Sequence, residues 1–107
     1  MLYGIKIEIC AGSFEDVVTA CKYNEVDRLE LNSHLEEDGL SIDHSLFEKI
    51  RQYTKKQLFC MVRTRPGNFI YTEEEKNAMM QEAEYFLDHG ADGIVFGFLN
   101  QDNQIDL

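Results

Sequence analysis

From Tyr3 to Cys10 apolar and polar residues alternate, with Ile5, Ile7 and Ile9 on one parity and Lys6, Glu8 and Cys10 on the other. A period of two predicts a β-strand whose faces meet different surroundings. The period then changes, because Phe14, Val17, Val18 and Cys21 recur at i, i+3, i+4 and i+7 and so fall on one face of a helix. Gly12 and Ser13 open that helix, with Ser13 placed to cap its free amides and Asp16 in its first turn. Asn24 suits a left-handed cap, after which DRLEL predicts a second strand from Asp27 to Leu31.

The polar stretch Asn32 to Ser41 ends around Gly39 and is expected to be a loop. A second helix follows from about Ile42 to Tyr53, burying Leu46, Ile50 and Tyr53. QLFCMVR is almost continuously apolar, the pattern of a strand covered on both faces. Thr72 and Glu75 form a capping box, which starts a third helix with Met79, Ala83, Phe86 and Leu87 inward and Gly90 as its stop. DGIVFGF supplies a fourth strand. The order βαβαβαβ predicts an α/β fold with a parallel sheet and right-handed crossovers. NEVDRLEL and HGADGIVF repeat one design, a helix stop followed by [VA]-D and a strand, as expected of a repeated unit.

A chain of 107 residues with 44% hydrophobic content suits one domain, residues 1–107, around one core. A net charge of −10 repels nucleic acid and anionic membrane surfaces, so neither is expected as a partner. The start MLYGIKIEIC lacks a basic leader and carries Glu8 in its apolar stretch, which points to a cytoplasmic protein. Cys10, Cys21 and Cys60 are odd in number and far apart, so reduced thiols are expected rather than disulfides or a structural zinc site.

Charge in the strands raises the functional question. Strand alternation puts Glu8 with Cys10, Arg28 with Glu30 and Asn32, and Phe59 and Met61 with Arg63 and Arg65. If these faces share one interior, Glu8, Cys10, Arg28, Glu30, Arg63 and Arg65 converge near the carboxyl ends of the strands, where parallel α/β folds gather reactive groups. Two readings remain open there. Arg28 with Glu8 or Glu30 forms a satisfied structural ion pair, or the cluster is a small polar site for an anion or a metal. Arg63 closes the strand and Arg65 begins the turn Pro66-Gly67-Asn68, a setting for an anionic group, unless Arg65 pairs with an acidic surface residue. Cys10 is a soft donor that would select Cu(I) or another thiophilic metal, or is a core residue. His34, beside Glu36, Glu37 and Asp38, lies in a solvated loop.

The segments EICAGSFEDVVTA, VDRLELNSHLEEDGLS, MVRTRPGNFIYTEEE and GADGIVFGFLNQDNQID, in this order and spacing, resemble the successive strand-and-loop signature of the CutC family. The family's E-[VI]-C falls on Glu8, Ile9 and Cys10, and its D-R-[IL]-E-L on Asp27 to Leu31. Its R-x-R-x-G-[DN]-F-x-Y falls on Arg63, Arg65, Gly67, Asn68, Phe69 and Tyr71. The resemblance implies a TIM (β/α)8-barrel protein of copper homeostasis, with Cys10 as the candidate metal ligand and Cu(I) as the candidate ion. Asn32 stands where many members have a second Cys. A barrel of eight strands takes about 250 residues, so the chain covers about half of one. The open half is expected to continue in a longer protein or to close as a dimer. The alternative function is an enzyme acting on a small phosphorylated or carboxylated metabolite, held by Arg28, Arg63 and Arg65, with Glu8 or Glu30 as general acid or base.

Overall fold

The structure is a computed structural model that describes residues 1–105. Strands β1 (Ile7–Ala11), β2 (Val26–Leu31), β3 (Gln57–Met61) and β4 (Gly93–Val95) alternate with helices α1 (Phe14–Cys21), α2 (His44–Tyr53) and α3 (Glu73–Asp88). The strands are parallel and lie in the order β1-β2-β3-β4. Each strand pairs with the next in sequence, the singly wound arrangement of a TIM barrel, and the described residues supply four of its strands.

The helices cover one sheet face. Val17 of α1, Phe47 and Ile50 of α2, and Met79 and Phe86 of α3 form one buried cluster with Leu29, Leu31, Leu58 and Cys60 of the sheet. Phe47 and Phe86 meet edge to face with centroids 5.2 Å apart, and burying each such ring contributes about 1.5–3 kcal/mol. The caps form as the pattern requires. Ser13 accepts from the Asp16 amide, and Thr72 and Glu75 make a reciprocal capping box. Gly90, at φ 106°, turns the chain out of α3.

The repeated [VA]-D motif proves to be a repeated device. Asp27 Oδ2 accepts the Ile7 amide at 2.7 Å, and Asp92 Oδ2 accepts the Leu58 amide at 2.9 Å. Each aspartate stands at the start of one strand and satisfies a donor at the start of its neighbour, which helps fix the parallel register there.

Some boundaries and faces differ from expectation. β1 begins at Ile7 because Tyr3 and Gly4 both take positive φ, and a bridge between Leu2 and Ile5 folds the first residues back. Asn24 takes no left-handed cap. Instead α1 unwinds through short turns from Tyr23 to Ala20 and from Val26 to Tyr23. Leu87 is 50% exposed, because the stripe from Met79 to Phe86 leaves it one step around the helix. Tyr53 is also half exposed, packing edge-on against Phe14.

Candidate functional site on the inner sheet face

The sheet face turned away from the helices carries charge. In β1 and β2, Glu8 stands opposite Arg28 and Cys10 opposite Glu30. In β2 and β3, Glu30 stands opposite Phe59, which faces Gly93 on β4. A Cβ on Gly93 would lie 3.0 Å from the Phe59 ring, so glycine there lets the ring lie across the sheet. The Arg28 guanidinium lies 4.5 Å from the Phe59 centroid and donates to Glu8 through Nε. A cation held on an aromatic face and paired with a carboxylate is a satisfied arrangement.

Glu30 is left without a cation of its own. Burial, followed by its contact with Glu8, pushes its carboxyl above the usual carboxylate range. Cys10 is exposed, and its thiol is pushed up by partial burial and then by the charges of Glu30 and Glu8. Cys60, on the opposite parity, is sealed beneath the helices and pushed up to about 12 by burial.

The structure therefore brings Glu8, Cys10, Arg28 and Glu30 together, but Arg63 and Arg65 do not join them. β3 ends at Met61, so strand alternation no longer governs the residues beyond it. Arg63 turns under the β2–α2 loop and donates Nη1 to the carbonyls of Glu37 and Gly39, and Nη2 to that of Gly67. Its backbone amide is taken by Ser41 Oγ at 2.9 Å. Arg65 points to α3, pairing with Glu75 and donating to the Ile70 carbonyl at 2.8 Å. Arg65 thus has the acidic partner that was its second reading. The expected convergence of six charged and thiol groups is corrected to a group of four plus a separate arginine loop.

Sequence reasoning missed Glu75 as the partner of Arg65, since its capping-box role already accounted for it. It also missed Tyr71, buried to 6% exposure in a stretch whose turn residues predict a surface loop.

The donor set does not make a resident copper centre. Cu(I) favours soft sulfur donors, whereas Cys10 brings one thiol among two carboxylates and a guanidinium. Among the described residues no group of three or more His, Cys, Asp or Glu side chains could hold a metal ion. His34 accordingly has no metal-ligating neighbours, and its Nδ1 lies 3.0 Å from Ser33 Oγ. No helix among the described residues is long and apolar enough to cross a membrane.

Four sequential parallel strands with a charged inner face define half of a TIM barrel whose polar groups lie inside. The CutC family model matches residues 5–107, and the chain belongs to that family. A CutC family protein of Treponema denticola is 46% identical over 95% of this chain and 41% of its own length. The copper homeostasis protein cutC homolog of Homo sapiens is 35% identical over 96% of this chain and 37% of its own length. The crystal structure of CutC from Streptococcus agalactiae superposes with a TM-score of 0.86 at 26% identity, over 95% of this chain and 50% of that one. The chain thus spans about two fifths of the length of these relatives and half of the solved structure.

Proposed function

We propose that the chain is a copper-homeostasis protein of the cytoplasm that meets Cu(I) through Cys10, the exposed thiol of its inner-face cluster. The observation that carries this reading is the position of Cys10 near the carboxyl end of β1, the end where this fold presents its chemistry. With one soft donor the contact is transient rather than a resident centre. Glu8 and Arg28 neutralise each other beside it, and partial burial, with the Glu30 and Glu8 charges, favours the protonated thiol, so a metal would bind by displacing a proton. Relatives named for copper homeostasis support the reading. The test is Cu(I) uptake by the wild type and by Cys10→Ala: less uptake by the variant supports it, and equal uptake overturns it.

The sheet edges also need a cover. Ile9 on β1, and Phe96 and Ile105 beyond β4, are 39%, 59% and 74% exposed, more apolar surface than a soluble monomer leaves bare at a sheet edge. A second set of four strands closes the barrel. Either a second copy of this chain supplies it, as a two-fold dimer, or further chain of the length its relatives have does so.

A second reading is favoured by Arg63, a buried cation with no carboxylate in ion-pair range among the described residues. In that reading the protein acts on a small anionic metabolite. Glu30, with its raised carboxyl, serves as general acid or base with Glu8 beside it, and Arg63 holds the anion. Arg28 and Arg65 each already hold a carboxylate, and would take a ligand only by exchanging it.

A further inference from the structure

Arg63 is the only charged side chain buried among the described residues, at 6% exposure. Its Nη atoms are spent on three backbone carbonyls, while its Nε finds no hydrogen-bond partner among the described residues. Tyr71, equally buried, has a hydroxyl with no partner either. Carbonyl dipoles solvate a guanidinium but do not neutralise it, and a buried donor without an acceptor is unfavourable.

Both side chains line one cavity of about 210 Å³ at the carboxyl ends of β3 and β4, room for roughly seven waters at about 30 Å³ each. Met61, Val62, Phe69, Val95, Phe96 and Gly97 supply the rest of its wall, which is apolar. The flanking rings fix the polar pair in place. The Arg63 guanidinium lies 5.0 Å from the Phe69 centroid, and Tyr71 is packed edge-on by Phe98 at 5.6 Å and covered by the Arg65 guanidinium at 4.6 Å. One net positive charge, two unused donors and an apolar wall define the ligand by its chemistry.

We propose that this cavity is an anion subsite, taking the carboxylate or phosphate head of a small metabolite on Arg63 Nε–H and Tyr71 O–H and its apolar body against Phe69 and Phe96. The subsite rests on the small-anion reading above and moves the anion away from Arg28 and Arg65 to a place of its own. It does not depend on copper.

The test is titration of the 107-residue chain with butyrate and, separately, with methyl phosphate, following the Arg63 Nε–H proton signal and thermal stabilisation. Tyr71→Phe is the informative variant, since the hydroxyl it removes bonds to nothing among the described residues and the unliganded protein should keep its stability. The expected result is that one or both anions shift the Arg63 signal and stabilise the wild type, with affinity about tenfold weaker in Tyr71→Phe. The responding arm tells carboxylate from phosphate. Equal binding to wild type and Tyr71→Phe with the Arg63 signal unmoved overturns the subsite while leaving the small-anion reading standing elsewhere on the cluster. Binding of neither anion overturns both and leaves a cavity that holds water only.

Discussion

Cys10 and Glu30 face each other across β1 and β2, and both are shifted toward their protonated forms. Partial burial and the Glu30 charge push the thiol up, and burial with Glu8 pushes Glu30 up. Glu30→Gln removes a negative charge from beside the thiol, so Cys10 should alkylate faster with iodoacetamide at a fixed mildly alkaline pH. Glu8→Gln should do the same to a smaller extent. Peptide mass spectrometry across a pH series checks this, and an unchanged Cys10 profile in Glu30→Gln would contradict the coupling. Cys60 should stay unlabelled in all three proteins, because burial holds its thiol up at about 12.

The raised carboxyl of Glu30 also fixes a sign for stability. The folded state holds that proton more tightly than the unfolded chain, so the stability tied to it is present below the ordinary carboxylate range and lost as pH rises through the folded value. Glu30→Gln cannot ionise, and its melting temperature relative to wild type should be higher at about pH 7 than at about pH 4. Differential scanning calorimetry at the two pH values reads the difference. A variant that loses ground as pH rises would show Glu30 to be held ionised.

Asp27 and Asp92 should behave as a matched pair. Replacing either by Ala strands a strand-start amide, Ile7 in one case and Leu58 in the other, at a cost of about 1–3 kcal/mol. The two costs should be similar, because each carboxylate also holds a cation, Asp27 the N-terminal ammonium at 2.7 Å and Asp92 the Arg51 guanidinium at 3.1 Å. Urea unfolding of both single variants and the double variant checks the values, and the two effects should add because they act in different βαβ units.

The apolar residues exposed at the sheet edges give an expectation for the isolated chain. Sedimentation should show the 12.4 kDa polypeptide self-associating, with these residues removed from hydrophobic dyes. A stable monomer that binds no dye would remove the need for a second half.

The order of elements and the parallel sheet were legible in the sequence, because period, caps and strand parity are local properties, whereas the partner of Arg28 stayed open between Glu8 and Glu30 until the structure showed Glu8. The cluster of Glu8, Cys10, Arg28 and Glu30 was legible for the same reason, as all four lie inside β1 and β2. The fate of Arg63 and Arg65 was not. They lie past Met61, where the ladder stops and loop contacts decide direction, and their partners are ten residues away for Arg65 and more than twenty for Arg63 at Glu37 and Gly39. Tyr71 escaped notice because a turn-rich stretch carries no period that would mark one residue as buried.

The central claim, that the protein meets copper through one exposed thiol in this cluster, is tested most directly by competition for Cu(I). The wild-type chain and Cys10→Ala are titrated anaerobically against a chromogenic Cu(I) chelator of graded strength. Weak, one-to-one uptake by the wild type is expected, lowered at least about tenfold in Cys10→Ala. Equal uptake by the two proteins, or tight uptake that survives loss of Cys10, would contradict it.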